Sequence, residues 1–504
     1  MQLSDQSRET FSSFATLIFA ALAATTIVLM LFLASSKIVF AITGGLLFIV
    51  ALIACGNIRL FCLWGLIITA PFALNISFMV TAHMGGAGSI SIDAVDVFII
   101  PLVVFLLRDY ATGNRANLVV PKVLYWWLGM ALLGFLDILT GPMREVAFLE
   151  MVRMLKLSLL FLVIVNEAVR VKQIEHIVAV LMIGVAFQGL VALLQYVFDL
   201  NFGAQILGEV TEQGTDFTSQ ATYRDGGYTN RVGGMIGHPN LLAIFMAMNV
   251  PIGLAVLFSN AKPIYKAFLL ATVVVGSVSL VLTLSRSGWI AFGLAYIVLM
   301  AISFAHPSLR RKYVLGRLMS VVFIFLIAGA LSGPIIKRLT QSDTGAVSFR
   351  WEFMEVAFDM ALAKPVLGFG LNSFVWQAPP YTKYGSYQAV LDKFGDDLPV
   401  VHNIYLLVWS EQGTIGLILF LAFNYHLMLM AWRGVAHYTH PFLAVVNLGC
   451  MAGMLALLAD GMASFFIRSP NCGRVFFIVA ALIVAIDIWH KNNAQGQYKR
   501  PGIN

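Results

Sequence analysis

Apolar runs separated by short polar breaks recur from one end of the chain to the other. Seven cover roughly 14–34, 37–55, 58–80, 94–107, 122–141, 151–170 and 174–200. Seven more cover roughly 239–259, 265–285, 288–305, 313–333, 403–431, 441–461 and 473–490. Most approach the twenty or so residues that a helix needs to cross a hydrocarbon layer about 30 Å thick. Inside that layer helices satisfy their own backbone polar groups, which irregular chain exposed to lipid cannot do. The pattern predicts an all-α polytopic integral membrane protein with about 14 transmembrane helices. The run at 94–107 is short for a full span, and its start extends back over Ile92, Asp93 and Ala94.

Two polar stretches interrupt this rhythm, at about 201–239 and 334–401. Both are too long for simple connections, and long ordered loops usually carry function. Within the second, residues 348–362 space their apolar positions as a helix does, which predicts an amphipathic helix against the membrane or the core. Gly368 and Gly370 break it, and Pro379 and Pro380 break the chain again. No internal repeat and no sizeable soluble domain is visible. The organisation expected is 1–200 for the first seven helices, 201–433 for a core with the two long loops, and 434–504 for two last helices and a tail.

Charge orients the helices. Arg108 to Arg115, Arg170 to Lys172, Lys262 to Lys266, Arg310 to Lys312, Arg433 and the tail from Lys491 to Arg500 fall on one side when the N-terminus is cytoplasmic. Short loops on the other side, such as 81–96, carry acidic charge or none. This obeys the positive-inside rule, with both termini cytoplasmic and both long loops outside.

Composition agrees. The chain has 504 residues, 60% hydrophobic and 11% charged, against about 25% charged in an average soluble protein. Its net charge of +7 is the basic excess of cytoplasmic loops and gives no reason to invoke nucleic acid. Met1 to Ser13 is polar and of mixed charge, without a basic start or a small-residue cleavage site, so the first run is expected to be retained. Cys55, Cys62, Cys450 and Cys472 lie in or beside apolar runs without metal-ligand spacing and read as packing residues. Asp392, Asp396 and Asp397 lack the spacing of a calcium loop. No metal or other cofactor is expected, and no phosphate-cradling GxxxxGK[ST] motif suggests a nucleotide-driven pump.

Polar residues capable of chemistry gather at the outer rim. Arg231 opens the segment 231–240 before the eighth run, and Arg286 stands between the ninth and tenth. A guanidinium at membrane depth is costly and usually has a partner or a function, and its planar fork suits phosphate oxygens. The plain alternative for Arg286 is an interfacial anchor, or a partner of a carboxylate such as Glu411. His402 and Asn403 begin the run 403–431, with Glu411 about two turns deeper. An imidazole there can take a proton from a hydroxyl nucleophile, or can simply be a hydrogen-bonded interfacial residue. His238 competes for that role, although the proline after it gives it the character of a capping residue. Arg153 and Lys156 share a helix face, either adding positive potential for an anion or snorkelling to the interface.

Four places resemble the O-antigen ligase and polymerase superfamily of bacterial envelope glycan enzymes. They are Arg231 to Asn240, Thr283 to Gly288, Arg350 through Pro365 to Gly370, and His402 through Glu411 to Gly416. The resemblance implies a glycosyltransferase that moves a glycan from undecaprenyl diphosphate to an acceptor hydroxyl at the periplasmic face of the inner membrane. It implies Arg231 and Arg286 on the donor diphosphate and His402 at the acceptor hydroxyl. Apart from what it implies, Asn403, His238, Arg350, Arg153 and Lys156 are further substrate-binding candidates. The resemblance also implies metal independence and inversion at the anomeric carbon. Polymerisation of O-antigen or exopolysaccharide repeats is favoured. A ligase acting on lipid A–core and a protein-glycosylating relative remain open. Membrane lipids, a flippase and a chain-length regulator are the implied partners. A transporter of lipid-linked glycans is the main alternative from another class. It is disfavoured because the two halves are unlike and the polar candidates sit at one face rather than at the midplane.

Overall fold

A computed structural model describes residues 53, 56–81, 85–114, 118–198, 221–224, 227–305, 314–340, 346–385, 400–436 and 440–494. The runs expected at 14–34 and 37–55 therefore lie outside the described residues save Ile53, as do Asp392, Asp396 and Asp397. Contacts divide the chain into residues 1–64 and 65–504. The described part of the first leads into helix α1, Ile58–Thr69; the rest of the description concerns the second.

The apolar run at 58–80 is not helical throughout. Pro71 follows the end of α1, and strand β1 (Asn75–Phe78) pairs antiparallel with β2 (Ile90–Asp93). Proline lacks the N–H that a continuing helix would need, so the apolar residues beyond it enter a hairpin. Helices then follow the remaining runs: α2 Ala94–Ala111, α3 Leu124–Thr140, α4 Arg144–Glu167 and α5 Val171–Phe198. After a small hairpin, β3 Ala221–Arg224 with β4 Gly227–Asn230, come α6 Pro239–Leu257, α7 Pro263–Leu282 and α8 Arg286–Ala305. Next are α9 Val314–Ala330, α10 Ser332–Thr340, α11 Ala346–Ala363 and the single turn α12 Phe374–Gln377. The chain closes with α13 Ile404–Ala436, α14 Pro441–Asp460 and α15 Pro470–Ala494. Among the described residues, seven helices (α5 to α8 and α13 to α15) are long and apolar enough to cross a membrane. The protein is a mostly helical membrane protein.

Helix α4 begins seven residues before its apolar run because its charged first half is neutralised inside the bundle. Glu150 pairs with Arg153 and takes a hydrogen bond from the Ala87 amide at 2.8 Å. Lys156 bridges Asp93 at 2.5 Å and Asp96 at 2.7 Å, and Arg474 reaches Asp93 at 3.0 Å.

Helix α6 is apolar around its whole circumference, and a helix of that kind belongs in the centre. Every residue from Leu242 to Val256 is buried. It meets α14 backbone to backbone. A Cβ on Gly453 would stand 2.0 Å from the Met248 carbonyl oxygen, and one on Gly449 2.6 Å from the Ile252 Cα. Small residues four apart permit this approach, which bundles in lipid use in place of a hydrophobic driving force. Beside it, Trp127, Phe161 and Phe423 surround Phe477 at centroid distances of 4.9, 6.1 and 5.9 Å, tying α3, α4 and α13 to α15.

A backbone clasp joins α11 to α13. Gly413 has φ 63° and ψ −168°, a kink inside α13 that glycine accommodates. Opposite it, the chain after α11 turns through Gly368 (φ 73°) and Gly370 (φ 113°). Phe369 N–H donates to Ser410 O at 3.0 Å, Gly370 N–H to Glu411 O at 2.8 Å and Thr414 N–H to Pro365 O at 2.7 Å. The Glu411 carboxylate accepts from the Asn372 and Phe374 amides at 3.0 and 3.1 Å and pairs with Arg468 at 2.6 Å. Asn372 in turn donates to Ala87 O and Val146 O. The clasp thus fixes α11 relative to the start of α13.

Candidate functional site

The starts of α6, α8 and α13 and the ends of α7 and α14 share one end of the bundle. Three helix N-termini there add partial positive charge, and the side chains that meet at this end add more.

The turn Thr283-Leu284-Ser285 links α7 to α8, with Leu284 in the left-handed region at φ 53°. A branched side chain there is strained, and such strain persists only where neighbours hold it. The holders are two arginines. Arg231 Nε–H donates to Thr283 O at 2.9 Å, and Arg338 Nε–H donates to Leu284 O at 3.1 Å. Arg231 Nη2 also donates to Asn240 Oδ1 at 2.7 Å. Arg286 follows the turn as the first residue of α8. The fourth cation is Arg350 of α11. These groups feel one another: burial, then Arg338, Arg350 and Arg286, lower the Arg231 pKa to about 9. Arg350 also interacts with Asp460, the last residue of α14, whose carboxylate accepts from the hydroxyls of Ser464 and Ser287.

Both candidate histidines enter this cluster. His238 caps α6, its Nδ1 accepting from the Asn240 amide at 3.1 Å. His402 precedes α13, its Nδ1 lying 3.1 Å from Val400 O and its ring edge-on to Phe465 at 5.3 Å. These two bonds impose opposite tautomers. A carbonyl oxygen only accepts, so His402 carries its proton on Nδ1 and offers Nε2 as a base. A backbone amide only donates, so His238 Nδ1 is bare and its neutral ring presents Nε2–H as a donor. Burial first, and then Arg231, His402 and Arg350, push the His238 pKa down to about 4. Burial and then Arg350, opposed by the Val400 carbonyl, bring His402 to about 4 as well. Both rings are therefore neutral at pH 7.

Of the residues singled out in the sequence, Arg231, His238, Arg286, Arg350 and His402 come together. Asn403 lies beside them, buried: its Oδ1 caps α13 through the amides of Tyr405 and Leu406, and its Nδ2 donates to Met462 O. Arg153 and Lys156 stand elsewhere, each engaged with carboxylates below the β1–β2 hairpin. Glu411, offered as a partner for Arg286, pairs with Arg468. The sequence reading passed over Arg338 and Asp460. A carboxylate closing an apolar run is costly enough in lipid to have drawn notice.

Residues 271–421 match the family model described as O-antigen ligase. Through this segment the chain is similar to the O-antigen ligase family. Arg286, Arg338, Arg350 and His402 fall inside the match, and Arg231 and His238 precede it. The match supports glycan transfer of the ligase or polymerase type. No curated protein matches the chain.

Proposed function

We propose that this O-antigen ligase relative transfers a glycan from a polyprenyl diphosphate, specifically undecaprenyl diphosphate, to an acceptor hydroxyl, polymerising O-antigen or exopolysaccharide repeat units. The convergence of four arginines with two histidines of opposite tautomer carries this reading. The acceptor oxygen attacks the anomeric carbon while the bond from that carbon to the diphosphate oxygen breaks. His402 Nε2 takes the hydroxyl proton. The departing diphosphate keeps the electron pair, and Arg231, Arg286, Arg338 and Arg350 stabilise its charge. His238 Nε2–H adds a neutral donor to the same oxygens. Fixed guanidinium groups supply the cationic field that a divalent ion gives other phosphate-leaving reactions, which supports a metal-independent route. Backside attack would invert the anomeric centre.

The site is proposed to face the periplasm from the inner membrane, with about fourteen helices and both termini cytoplasmic, on the strength of the basic-residue distribution. Joining the glycan to lipid A–core is the second reading, since a ligase needs the same donor groups and differs in its acceptor. The test is purified protein in detergent with EDTA and undecaprenyl-diphosphate-linked repeat units, the products separated by size. A ladder of longer lipid-linked glycans upholds the polymerase. Product that appears only after lipid A–core is added makes it a ligase, and no product with either acceptor overturns glycan transfer.

A further inference from the structure

At the end of the bundle opposite the arginines, the starts of α5, α7 and α14 surround a cavity of about 500 Å³. Helix α7 is 20 residues long and runs from this cavity to the turn held by Arg231. The two sites are thus separated by about 30 Å, the length of that helix. The glycan-transfer reading uses none of the residues here.

The lining is amphiphilic and carries both signs of charge. Glu175 contributes a carboxylate, Lys262 an ammonium, His176 and His440 imidazoles and Tyr265 a phenol, with Phe442 among the apolar walls. Glu175 is central, because its charge is felt by His176, Tyr265 and His440 alike. Among the described residues neither Glu175 nor Lys262 has an ion pair or side-chain hydrogen bond. Tyr265 Oη and His440 Nδ1 are buried without a hydrogen-bond partner. The starts of α7 and α14, together with Lys262, favour a phosphate. Glu175, at the same mouth, favours a cation close to that phosphate. A primary ammonium matches that charge and can donate hydrogen bonds to the carboxylate.

We infer that this cavity binds a phosphate ester bearing a primary amine, of the phosphoethanolamine type, with the phosphate on Lys262 and the helix starts and the ammonium on Glu175. Its place at the ends of membrane-crossing helices, where lipid head groups lie, makes a phospholipid one source and the free ester another.

The experiment uses full-length protein in detergent and native mass spectrometry. It compares short-chain phosphatidylethanolamine with phosphatidylcholine of the same chains, which keeps the phosphate but lacks ammonium N–H donors. The wild type is expected to prefer the ethanolamine lipid by about fivefold, within the net worth of one hydrogen bond. Glu175→Gln should erase that preference, while Lys262→Gln should weaken both lipids alike. Displacement by free phosphoethanolamine assigns the site to the ester itself, and retention of the lipid against it assigns the site to the intact phospholipid. Equal binding of the two lipids by the wild type, or a preference that survives in Glu175→Gln protein of unchanged elution profile, overturns the inference.

Discussion

Gly413→Ala is the change that most sharply tests how the site is held. The new Cβ would lie 2.2 Å from Val366 O and 2.6 Å from Leu367 N, which are backbone atoms with little freedom to move. The facing strand is no freer, since a Cβ on Gly368 would already stand 2.4 Å from Glu411 O. Alanine at φ 63° and ψ −168° costs about 1–3 kcal/mol in backbone strain alone. Relieving the clash separates the two segments and loses the bonds at Phe369, Gly370 and Thr414, each worth about 1 kcal/mol net. The clasp is therefore weakened by about 3 kcal/mol or more, a factor of about 100 in its opening equilibrium. Arg350 lies on α11 and His402 just before α13, so opening displaces one from the other. Hydrogen exchange in detergent should show the Phe369 and Gly370 amides exchanging about a hundredfold faster, with glycan transfer lost and membrane insertion kept. Unchanged exchange at those two amides would refute the clasp as the element that positions the site.

Arg338→Ala removes a guanidinium from the cluster and frees the Leu284 carbonyl. Donor binding should weaken about tenfold to a hundredfold, the range for a charge-assisted hydrogen bond, as measured by titration with the lipid-linked donor. The pH profile should report His402 directly. Its neutral form persists down to about pH 4 in the free protein, so the acid limb of kcat/KM should lie well below the 6.5 of an unperturbed histidine. An anionic donor offsets the arginines, so the limb of kcat should lie higher, and Arg350→Ala should raise the limb of kcat/KM. The same depression gives a stability term that is complete above pH 6.5 and lost as pH falls from there towards 4, because the unfolded histidine protonates first. Gly453→Val should disrupt the contact of α14 with α6 and lower the thermal midpoint in detergent, since Met248 O lies 2.0 Å from the added Cβ.

Much of this was legible in the apolar runs. From residue 58 onward each expected run contains a helix, because length and hydropathy impose the same constraint on sequence and structure. The misjudged edges have local causes: Pro71 ended α1 early, and paired charges let α4 start early. The candidate cluster was legible where a costly residue stood at the end of an apolar run, as with Arg286 and His402. Arg338 was hidden because it sits in a nine-residue helix inside a stretch read as a loop. Arg153 and Lys156 showed the limit of charge counting, since their partners Glu150, Asp93 and Asp96 are assigned only by tertiary packing. The opposite tautomers of His238 and His402 depend on one backbone bond each, at 3.1 Å in both cases, and no sequence pattern encodes them.

The most direct measurement compares His402→Ala, His238→Ala and Arg286→Ala for both donor binding and single-turnover transfer from the same lipid-linked donor. If His402 is the base and the arginines hold the diphosphate, His402→Ala binds donor normally and transfers at least about a hundredfold more slowly. Arg286→Ala then loses binding and transfer together, and His238→Ala loses less than either. Transfer by His402→Ala at close to the wild-type rate, with His238→Ala inactive, would contradict the assignment of the base.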